Sequence, residues 1–388
     1  SSAEGTAGAF NGQIPLTQVD LLAFRESLRI GSNVLAIHGL NIDANDHDFF
    51  FDAQLIGTEF ATGKAQVFAS PTPGSANLAP AAQPPQIIGE EGLFFGSQMI
   101  ELKLTEPFSG LEVRYTLDGS VPTADSFLYT NPISLTTSAM LQARVFDASD
   151  QPALEPSAMT AATFIAASEQ LRDRSSDIPI IILDTIEDRL PGSSSTSLAS
   201  VNVIAMEVSQ LTGRATLSDS KVDYLGRGGV RDRGSSTAGQ TKPNMSFETW
   251  GADGTTKDDD ENIGLLGFSA ESDWVLHAPF NFDRAMIRNQ FAYAASNNMG
   301  RWAPGTRAVE VYLNRNDGIV TDSDYMGVYV LTEKITQGPG RVDIADIDRD
   351  DNQEPEISGG YIWKVDRTDP DAGTFTGGGL AVNWVHPK

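Results

Sequence analysis

A glycine- and arginine-rich segment between Leu225 and Trp250 contains the residue types best suited to binding phosphate. It reads LGRGGVRDRGSSTAGQTKPNMSFETW, with close-set glycines, three arginines, a serine pair and one lysine ahead of a strand-like stretch. Glycines let backbone N–H groups approach an anion, hydroxyls add donors, and arginine or lysine supplies charge. The spacing is neither a P-loop nor a complete G-x-G-x-x-G, because Arg231 stands where the third glycine would follow Gly226 and Gly228. Phosphate binding and a structural glycine hairpin therefore both remain open on composition alone.

Other chemistries find little support in the residue types present. The sequence has no cysteine, which removes thiol catalysis, thiolate metal sites and disulfides. The histidines show no i, i+4 pair and no zinc spacing, and no G-x-S-x-G turn is present. The four histidines are His38, His47, His277 and His386. A net charge of -25 opposes nucleic acid and anionic lipid as partners.

Punctuation in the sequence divides its 388 residues into three parts. A Pro-, Gly- and Ala-rich stretch, 69–85, predicts a linker, and the polar stretch 166–177 marks a second break or a short helix. We therefore expect domains at 1–78, 79–167 and 168–388. No apolar run reaches the length of a membrane span, and the longest, IPIIIL at 178–183, suits a strand buried on both faces.

The first part, 1–78, combines a predicted helix in LTQVDLLAFRESLRI with strand-like alternation after it. Its run LRIGSNVLAIHGLN resembles the closing strands of jelly-roll modules in large secreted bacterial proteins. The resemblance implies a partial jelly-roll-like β module, so we expect the sequence to begin inside a domain.

The second part, 79–167, alternates short β-branched and aromatic strands with Asp-Gly and Asn-Pro turns. Strands are predicted at 114–117 and 140–146, with Asp118 and Gly119 forming a turn. The run YTLDGSVPT resembles the signature of the immunoglobulin-like C-terminal domain of chitobiases. The resemblance implies a β-sandwich that usually serves as a spacer.

The third part contains several ordered motifs: SSDIPIIILDT, RGSS with a following lysine, ESDWVLHAPFNFDRAMIRNQFAYAAS, MGRWAPGTRAVEVYLN, YMGVYVLTEKI, RVDI and SGGYIWKVDR. Together they resemble the CotH family, named for spore-coat protein H, over residues 176–388. The resemblance implies an atypical kinase-like fold that binds ATP with a divalent metal, Mg²⁺, and phosphorylates protein. It also implies that the acidic catalytic residues belong to a C-terminal half beyond Lys388, so no catalytic residue is assigned.

The resemblance assigns ATP-binding roles to a small set of residues. Arg233, Gly234, Ser235 and Ser236 would shape the phosphate loop, and Lys242 would contact phosphate. Glu333 would line the nucleotide pocket and pair with a lysine. The alternatives are a solvated strand-start lysine at 242 and an exposed strand-end charge pair of Glu333 with Lys334.

The segment Asp273–Asn289 predicts a strand, a turn and an amphipathic helix, with Asp283 as the N-cap. Arg288 and Asn289 either face the active cleft or hold the helix to the sheet. Trp274 and Trp302 are expected to be core anchors.

A further constellation lies in DIADIDRDDNQEPE, where oxygen-bearing side chains alternate at Asp346, Asp348, Asp350 and Asn352. Calcium could bind there, but the sixth-position glycine of an EF-hand is missing and Ile357 replaces its bidentate glutamate. An acidic surface loop is the alternative interpretation.

The sequence thus predicts β-rich N-terminal modules followed by an α+β kinase-like domain that is incomplete at its C-terminus. We expect a secreted or cell-surface bacterial protein that transfers phosphate from ATP to Ser or Thr of a protein acceptor. The alternative is a non-catalytic surface, fibre or adhesion component whose partners are neighbouring surface-protein subunits. Carbohydrate binding by the jelly-roll remnant is a third hypothesis.

Overall fold

The computed structural model describes residues 81–105, 110–149, 154–185, 189–219, 221–234, 237, 240–254, 256–315, 318–348, 350–365 and 373–387. The predicted jelly-roll module and its helix lie outside these residues. Residues 83–149 and 156–388 belong to one compact unit, and residues 1–82 with 150–155 belong to another. In the second of these, the amide of Ala82 donates to the carbonyl of Glu155 at 2.9 Å. The domain boundaries at residues 79 and 168 stay predictions.

Eight strands of the larger unit form a two-sheet sandwich. They are β1 (Gln86–Ile88), β2 (Gly92–Phe95), β3 (Gln98–Lys103), β4 (Leu111–Thr116), β5 (Phe127–Leu128), β6 (Ile133–Leu135), β7 (Ala139–Asp147) and β8 (Thr160–Ala167). One sheet has the order β1-β3-β6, and the other has the order β2-β8-β7-β4-β5, with β2 parallel to β8. The two predicted strands correspond to β4 and β7, and Gly119 adopts the positive φ of +77° expected in the turn.

Nine further strands and one helix follow the sandwich along the chain. They are β9 (Ser175–Ser176), β10 (Ile180–Thr185), β11 (Ala199–Glu207), β12 (Ala215–Thr216), β13 (Lys221–Arg233), β14 (Asn244–Trp250), β15 (Asp273–His277), α1 (Arg288–Asn298), β16 (Thr306–Asn314) and β17 (Tyr325–Glu333). Seven of them close into a barrel in the order β10-β11-β13-β14-β15-β17-β16. The barrel closes through a parallel pairing of β10 with β16.

The barrel encloses its own apolar core, because residues of one parity on each strand point inward. Val201, Val230, Phe247, Trp274 and Leu331 are among the fully buried residues of this core. All six residues of β10 are buried, which confirms the strand predicted from the IPIIIL run. The outward side chains of β10 are buried as well, because they pack against the sandwich side of the barrel.

Short elements complete the described chain. Three-residue 3₁₀ helices occupy Glu169–Leu171, Lys257–Asp259 and Asp322–Asp324, the first of them inside the predicted second break. A small sheet of order β18-β20-β19 follows the barrel, with β18 (Ile362–Lys364), β19 (Thr374–Gly377) and β20 (Leu380–His386). The helices in the described ranges are all too short or too polar to span a membrane.

The β-rich part of the predicted fold is found, but the α+β character of the third part is not supported. Within the described residues α1 is the sole α-helix, and none of its eleven residues is buried. The predicted strand and helix are present as β15 and α1, and only the predicted amphipathic character of the helix was wrong. The strands of a closed barrel surround its core on all sides, so no helical layer is needed to cover that core.

Candidate functional site

The candidate phosphate loop connects β13 to β14 at one end of the barrel. Arg233 ends β13 and pairs in register with Asn244, which begins β14. Gly234 follows with φ of +97°, and any β-carbon at that position would collide with the Thr237 hydroxyl. The positive φ favours glycine at this position, and the Thr237 side chain fills the space where a β-carbon would lie. Ser235 and Ser236 lie outside the described residues.

Lys242 extends from this loop toward the N-terminal half of β17. Its ammonium nitrogen lies 4.8 Å from the centre of the Tyr329 ring and 3.0 Å from where a β-carbon on Gly327 would be. Burial lowers the pKa of Lys242. Within the described ranges, no carboxylate forms an ion pair with it. The side chain is partly exposed and its charge faces an aromatic ring, and both the phosphate-contacting role and the alternative of a solvated strand-start lysine stay predictions.

Two charged residues lie near Tyr329 at the same end of the barrel. Asp232 and Arg315 both lie close enough to influence the Tyr329 hydroxyl, whose pKa burial raises and which donates a 3.0 Å hydrogen bond to the carbonyl of Pro243. Burial raises the pKa of Asp232 as well, while Arg315 acts in the opposite direction. Oδ1 of Asp232 is buried without a hydrogen-bond partner among the described atoms. The end of the barrel thus combines cationic side chains with one partly desolvated carboxylate.

A polar network fixes the C-terminal side of the loop. The Asn244 amide donates to the Thr237 hydroxyl at 3.2 Å, and its Oδ1 accepts from the Ala278 amide at 2.7 Å and faces His277 Nδ1 at 2.9 Å. Nδ2 of Asn289 lies 3.2 Å from His277 Nε2. A neutral imidazole with its proton on Nδ1 satisfies both of these partners. Burial lowers the pKa of His277, and the charge of Arg233 lowers it further while Asp283 opposes them.

The turn before α1 corrects the predicted cap. Ile287, not Asp283, occupies the N-cap position, but Oδ2 of Asp283 accepts the amide hydrogen of Arg288 at 2.8 Å. The carboxylate therefore satisfies one orphan N–H of the first turn from four residues upstream of the cap. Arg288 and Asn289 are exposed, and Asn289 is the one that connects the helix to β15 through His277.

Glu333 lies at the other end of β17 and pairs with arginine instead of lysine. Its Oε1 accepts from Nη1 of Arg341 at 2.6 Å, and its Oε2 accepts from the Gly305 amide at 2.7 Å. Arg341 is 2% exposed and lies over the ring of Trp274. Lys334 pairs separately with Asp273 at 2.6 Å. The structure thus brings Arg233, Gly234 and Lys242 together but places Glu333 elsewhere.

The two tryptophans predicted as anchors differ. Trp274 is fully buried in the barrel core, as predicted. Trp302 is 40% exposed, so the prediction that it anchors the core was wrong. Nε1 of Trp274 has no hydrogen-bond partner in the described part of the chain, so the expected partner is not found there.

Three of the four calcium candidates, Asp346, Asp348 and Asp350, border a groove of about 680 Å³ between the 346–351 loop and β20. Oδ1 of Asp346 faces Nε2 of His386 at 3.3 Å, the Asp348 amide donates to Asp351, and Asn352 donates to the carbonyl of Asp350. Within the described residues, no three acidic or histidine side chains converge in a way that could hold a metal ion. Calcium therefore stays a prediction, and the local hydrogen bonds are those of an acidic surface loop.

Two family profiles match the sequence. Residues 90–156 match the chitobiase/beta-hexosaminidase C-terminal domain, and residues 230–376 match the CotH kinase protein family. The predicted resemblances to the chitobiase domain and to the CotH family are confirmed, and the jelly-roll resemblance stays a prediction. The CotH match begins at Val230 and so covers less than the 176–388 expected, starting inside β13 and including the candidate loop and Lys242. No protein in a search of curated sequences matches the chain significantly.

Sequence reasoning missed several residues that build this region, namely Asn244, His277, Tyr329 and Arg341. Each interacts with a residue from a different strand or loop, such as Asn244 with His277 or Arg341 with Glu333. The sequence carried one usable signal, the alternation in β17 that places Tyr329, Leu331 and Glu333 on the same inward face.

Proposed function

We propose that the CotH-like region binds ATP through its phosphates and transfers phosphate to Ser or Thr of a protein acceptor. The observation that carries the proposal is the placement of Lys242, which is half-buried, faces Tyr329 and adjoins a loop inside the CotH match. A phosphate beside this ammonium would offset the electrostatic cost of its burial. Arg233, at the start of the same loop, adds a second positive charge.

The expected Mg²⁺ finds no ligand set in the described residues, where no acidic or histidine cluster could hold a metal. We therefore assign no step to the metal and no residue to proton transfer. The chain's own contribution in this proposal is confined to phosphate binding and charge compensation by Lys242 and the adjoining loop. A bound Mg²⁺ would supply positive charge that neutralises the phosphates.

The proposed setting is the cell surface or the exterior of a bacterium, which suits a CotH-like region next to a chitobiase-type sandwich. The alternative function is that of a non-catalytic scaffold or adhesion component built on the same fold. The absence of an assigned metal set in the described residues is compatible with that alternative. ATP binding that depends on Lys242 separates the two.

The test is calorimetric titration of the chain with ATP and Mg²⁺, comparing wild type with Lys242→Met and Lys221→Met. Methionine keeps an apolar stem over Tyr329 and removes the charge. Lys221 begins the same strand, β13, and is exposed, so it serves as the matched control. We expect saturable binding in the wild type and Lys221→Met, and at least a tenfold loss in Lys242→Met, the size of one lost charge-assisted contact of about 1.4 kcal/mol.

Wild-type protein that does not bind ATP would contradict the proposal and favour the scaffold. Equal binding by wild type and Lys242→Met would remove Lys242 from the site while leaving ATP binding standing. Incorporation of labelled phosphate from ATP into a Ser/Thr protein substrate such as casein tests transfer separately from binding.

A further inference from the structure

The sandwich and the barrel share a continuous apolar layer. Residues of both pack into one fully or nearly fully buried cluster, which is distinct from the core inside the barrel. The sandwich side supplies Ile165, Ala167 and Leu171, and the barrel side supplies Ile180, Ile182, Ile204, Met206, Tyr312 and Val320. Backbone bonds reinforce the layer, because the Val320 amide donates to the carbonyl of Ala166 at 2.8 Å and the Ser168 amide donates to that of Val320 at 2.9 Å. Such a layer resembles a domain core more than a flexible linkage.

Buried polar contacts cross the same boundary. Arg227 of β13 is 2% exposed, and it donates to the carbonyl of Gly119 at 3.4 Å and to the Ser200 hydroxyl at 3.0 Å. Gln142 of β7 is fully buried and donates to the carbonyl of Asp253 at 3.2 Å. Ser200 lies in β11 of the barrel, so if the two parts separated, Arg227 would keep that contact and would lose the Gly119 carbonyl.

The turn of the sandwich fits this arginine closely. Gly119 has φ of +77°, and a β-carbon there would lie 2.5 Å from Nη2 of Arg227. Oδ1 of Asp118 accepts from the Ser120 amide at 3.0 Å and from its hydroxyl at 2.6 Å, which sets the shape of the turn. Three carboxylates, from Asp253, Asp259 and Asp118, act on Arg227 and oppose the effect of its burial.

We infer that the sandwich is a docking partner of the barrel and not a spacer, with the Asp118–Gly119 turn as the element that Arg227 recognises. Residues of the YTLDGSVPT signature were expected to form only a turn between strands. They also form a contact between the sandwich and the barrel of the same chain. The docked strand, β13, is the one that ends at Arg233, so docking stabilises the strand leading into the candidate loop. The inference does not depend on ATP binding or on phosphate transfer.

The test uses the positions of the tryptophans. All five lie at residue 250 or later, outside the sandwich, so tryptophan fluorescence during urea unfolding reports the barrel and the sheet that follows it. We compare Gly119→Ala with Gly213→Ala. Gly213 has a similar φ of +68° and no heavy atom within 4 Å of a β-carbon, so it carries the same backbone strain without the contact.

Docking predicts that Gly119→Ala lowers the urea midpoint of tryptophan fluorescence at least about twice as far as Gly213→Ala, although residue 119 belongs to the sandwich. In the Arg227→Met background, which removes the guanidinium, the excess over Gly213→Ala should shrink by at least half. Reciprocally, Arg227→Met should increase hydrogen exchange in β4 and β7. Should Gly119→Ala fail to fold, Arg227→Lys supplies the same exchange readout.

An independent spacer gives the opposite results. The tryptophan midpoint of Gly119→Ala would then match wild type while exchange in β4 and β7 rises, and Arg227→Met or Arg227→Lys would leave the sandwich unchanged. Either result would overturn the inference. Two well-separated unfolding transitions in the wild type would do so as well.

Discussion

Asp184 should make the protein less stable as the pH rises through about 6. Its carboxylate is 1% exposed on the outward face of β10, and burial raises its pKa from 3.8 to about 6. Asn314 donates to Oδ1 at 2.7 Å, Asn202 lies 3.3 Å from Oδ2, and Ser138 of the sandwich also bonds to the group. These donors favour the charged form but do not outweigh the loss of solvent.

The sign and size of the effect follow from linkage. The folded pKa lies above the unfolded value, so the folded state binds more protons, and the stabilisation is complete below about pH 4 and is lost as the pH rises through about 6. A difference of roughly two pKa units corresponds to about 3 kcal/mol lost by pH 7.5 relative to pH 3.5. Asp184→Asn removes this titration and keeps an amide in place of the acid. Oδ1 of Asn202, which has no partner in the described residues, offers the new amide an acceptor.

The assay is urea unfolding followed by tryptophan fluorescence at pH values from 4.5 to 7.5. We expect Asp184→Asn to gain stability over wild type progressively with pH, by up to about 3 kcal/mol at pH 7.5. Asp219→Asn, which removes an exposed carboxylate outside the barrel strands, should leave the wild-type slope in place. The reasoning fails if Asp184→Asn follows the wild-type pH profile, or if it is more destabilised at pH 7.5 than at pH 4.5.

Two further predictions concern the ends of the barrel. Glu333→Ala leaves the buried Arg341 without its 2.6 Å partner and should lower the free energy of unfolding in urea by about 3–5 kcal/mol. Lys334→Ala breaks a more exposed pair and should lower it by about 1 kcal/mol or less. Equal losses in the two variants would contradict this prediction. His277 has a lowered pKa in the folded state, so its contribution is present above about pH 6.5 and is lost as the pH falls below that. His277→Gln should therefore reduce the loss of unfolding free energy between pH 7.5 and pH 5. The same loss in wild type and variant would argue against a neutral His277 in the folded state.

The sequence predicted the features that depend on local pattern. The apolar run at 178–183 was recognisable as a doubly buried strand because both parities are apolar, and the Asp118–Gly119 turn because few residues tolerate positive φ. The loop from Arg233 to Lys242 was recognisable from composition, and the structure places its described residues at one end of the barrel. These features are encoded within a few residues of one another.

The features that were missed are set by pairings between distant strands. Arg227 and Gly119 are 108 positions apart, and nothing in either segment signals the other. Likewise the helix predicted after the strand and turn of Asp273–Asn289 was expected to be amphipathic from its spacing, but the barrel already covers its own core and α1 buries none of its residues. Periodicity in the sequence predicts which face of a helix is apolar. Whether other parts of the protein cover that face depends on the tertiary structure.

The geometry of β17 restricts how a nucleotide could be bound. Lys242 lies beside Gly327, and Glu333 ends the same strand six residues later, which corresponds to about 20 Å at the rise of an extended chain. A lysine–glutamate pair of the kind found in kinase N-lobes cannot form between these two without breaking the Glu333–Arg341 pair inside the barrel. If Lys242 binds phosphate, its orientation must therefore come from the Tyr329 ring and from the loop held by Asn244. Glu333 belongs instead to the opposite end of the barrel, where its negative charge makes the burial of Arg341 tolerable.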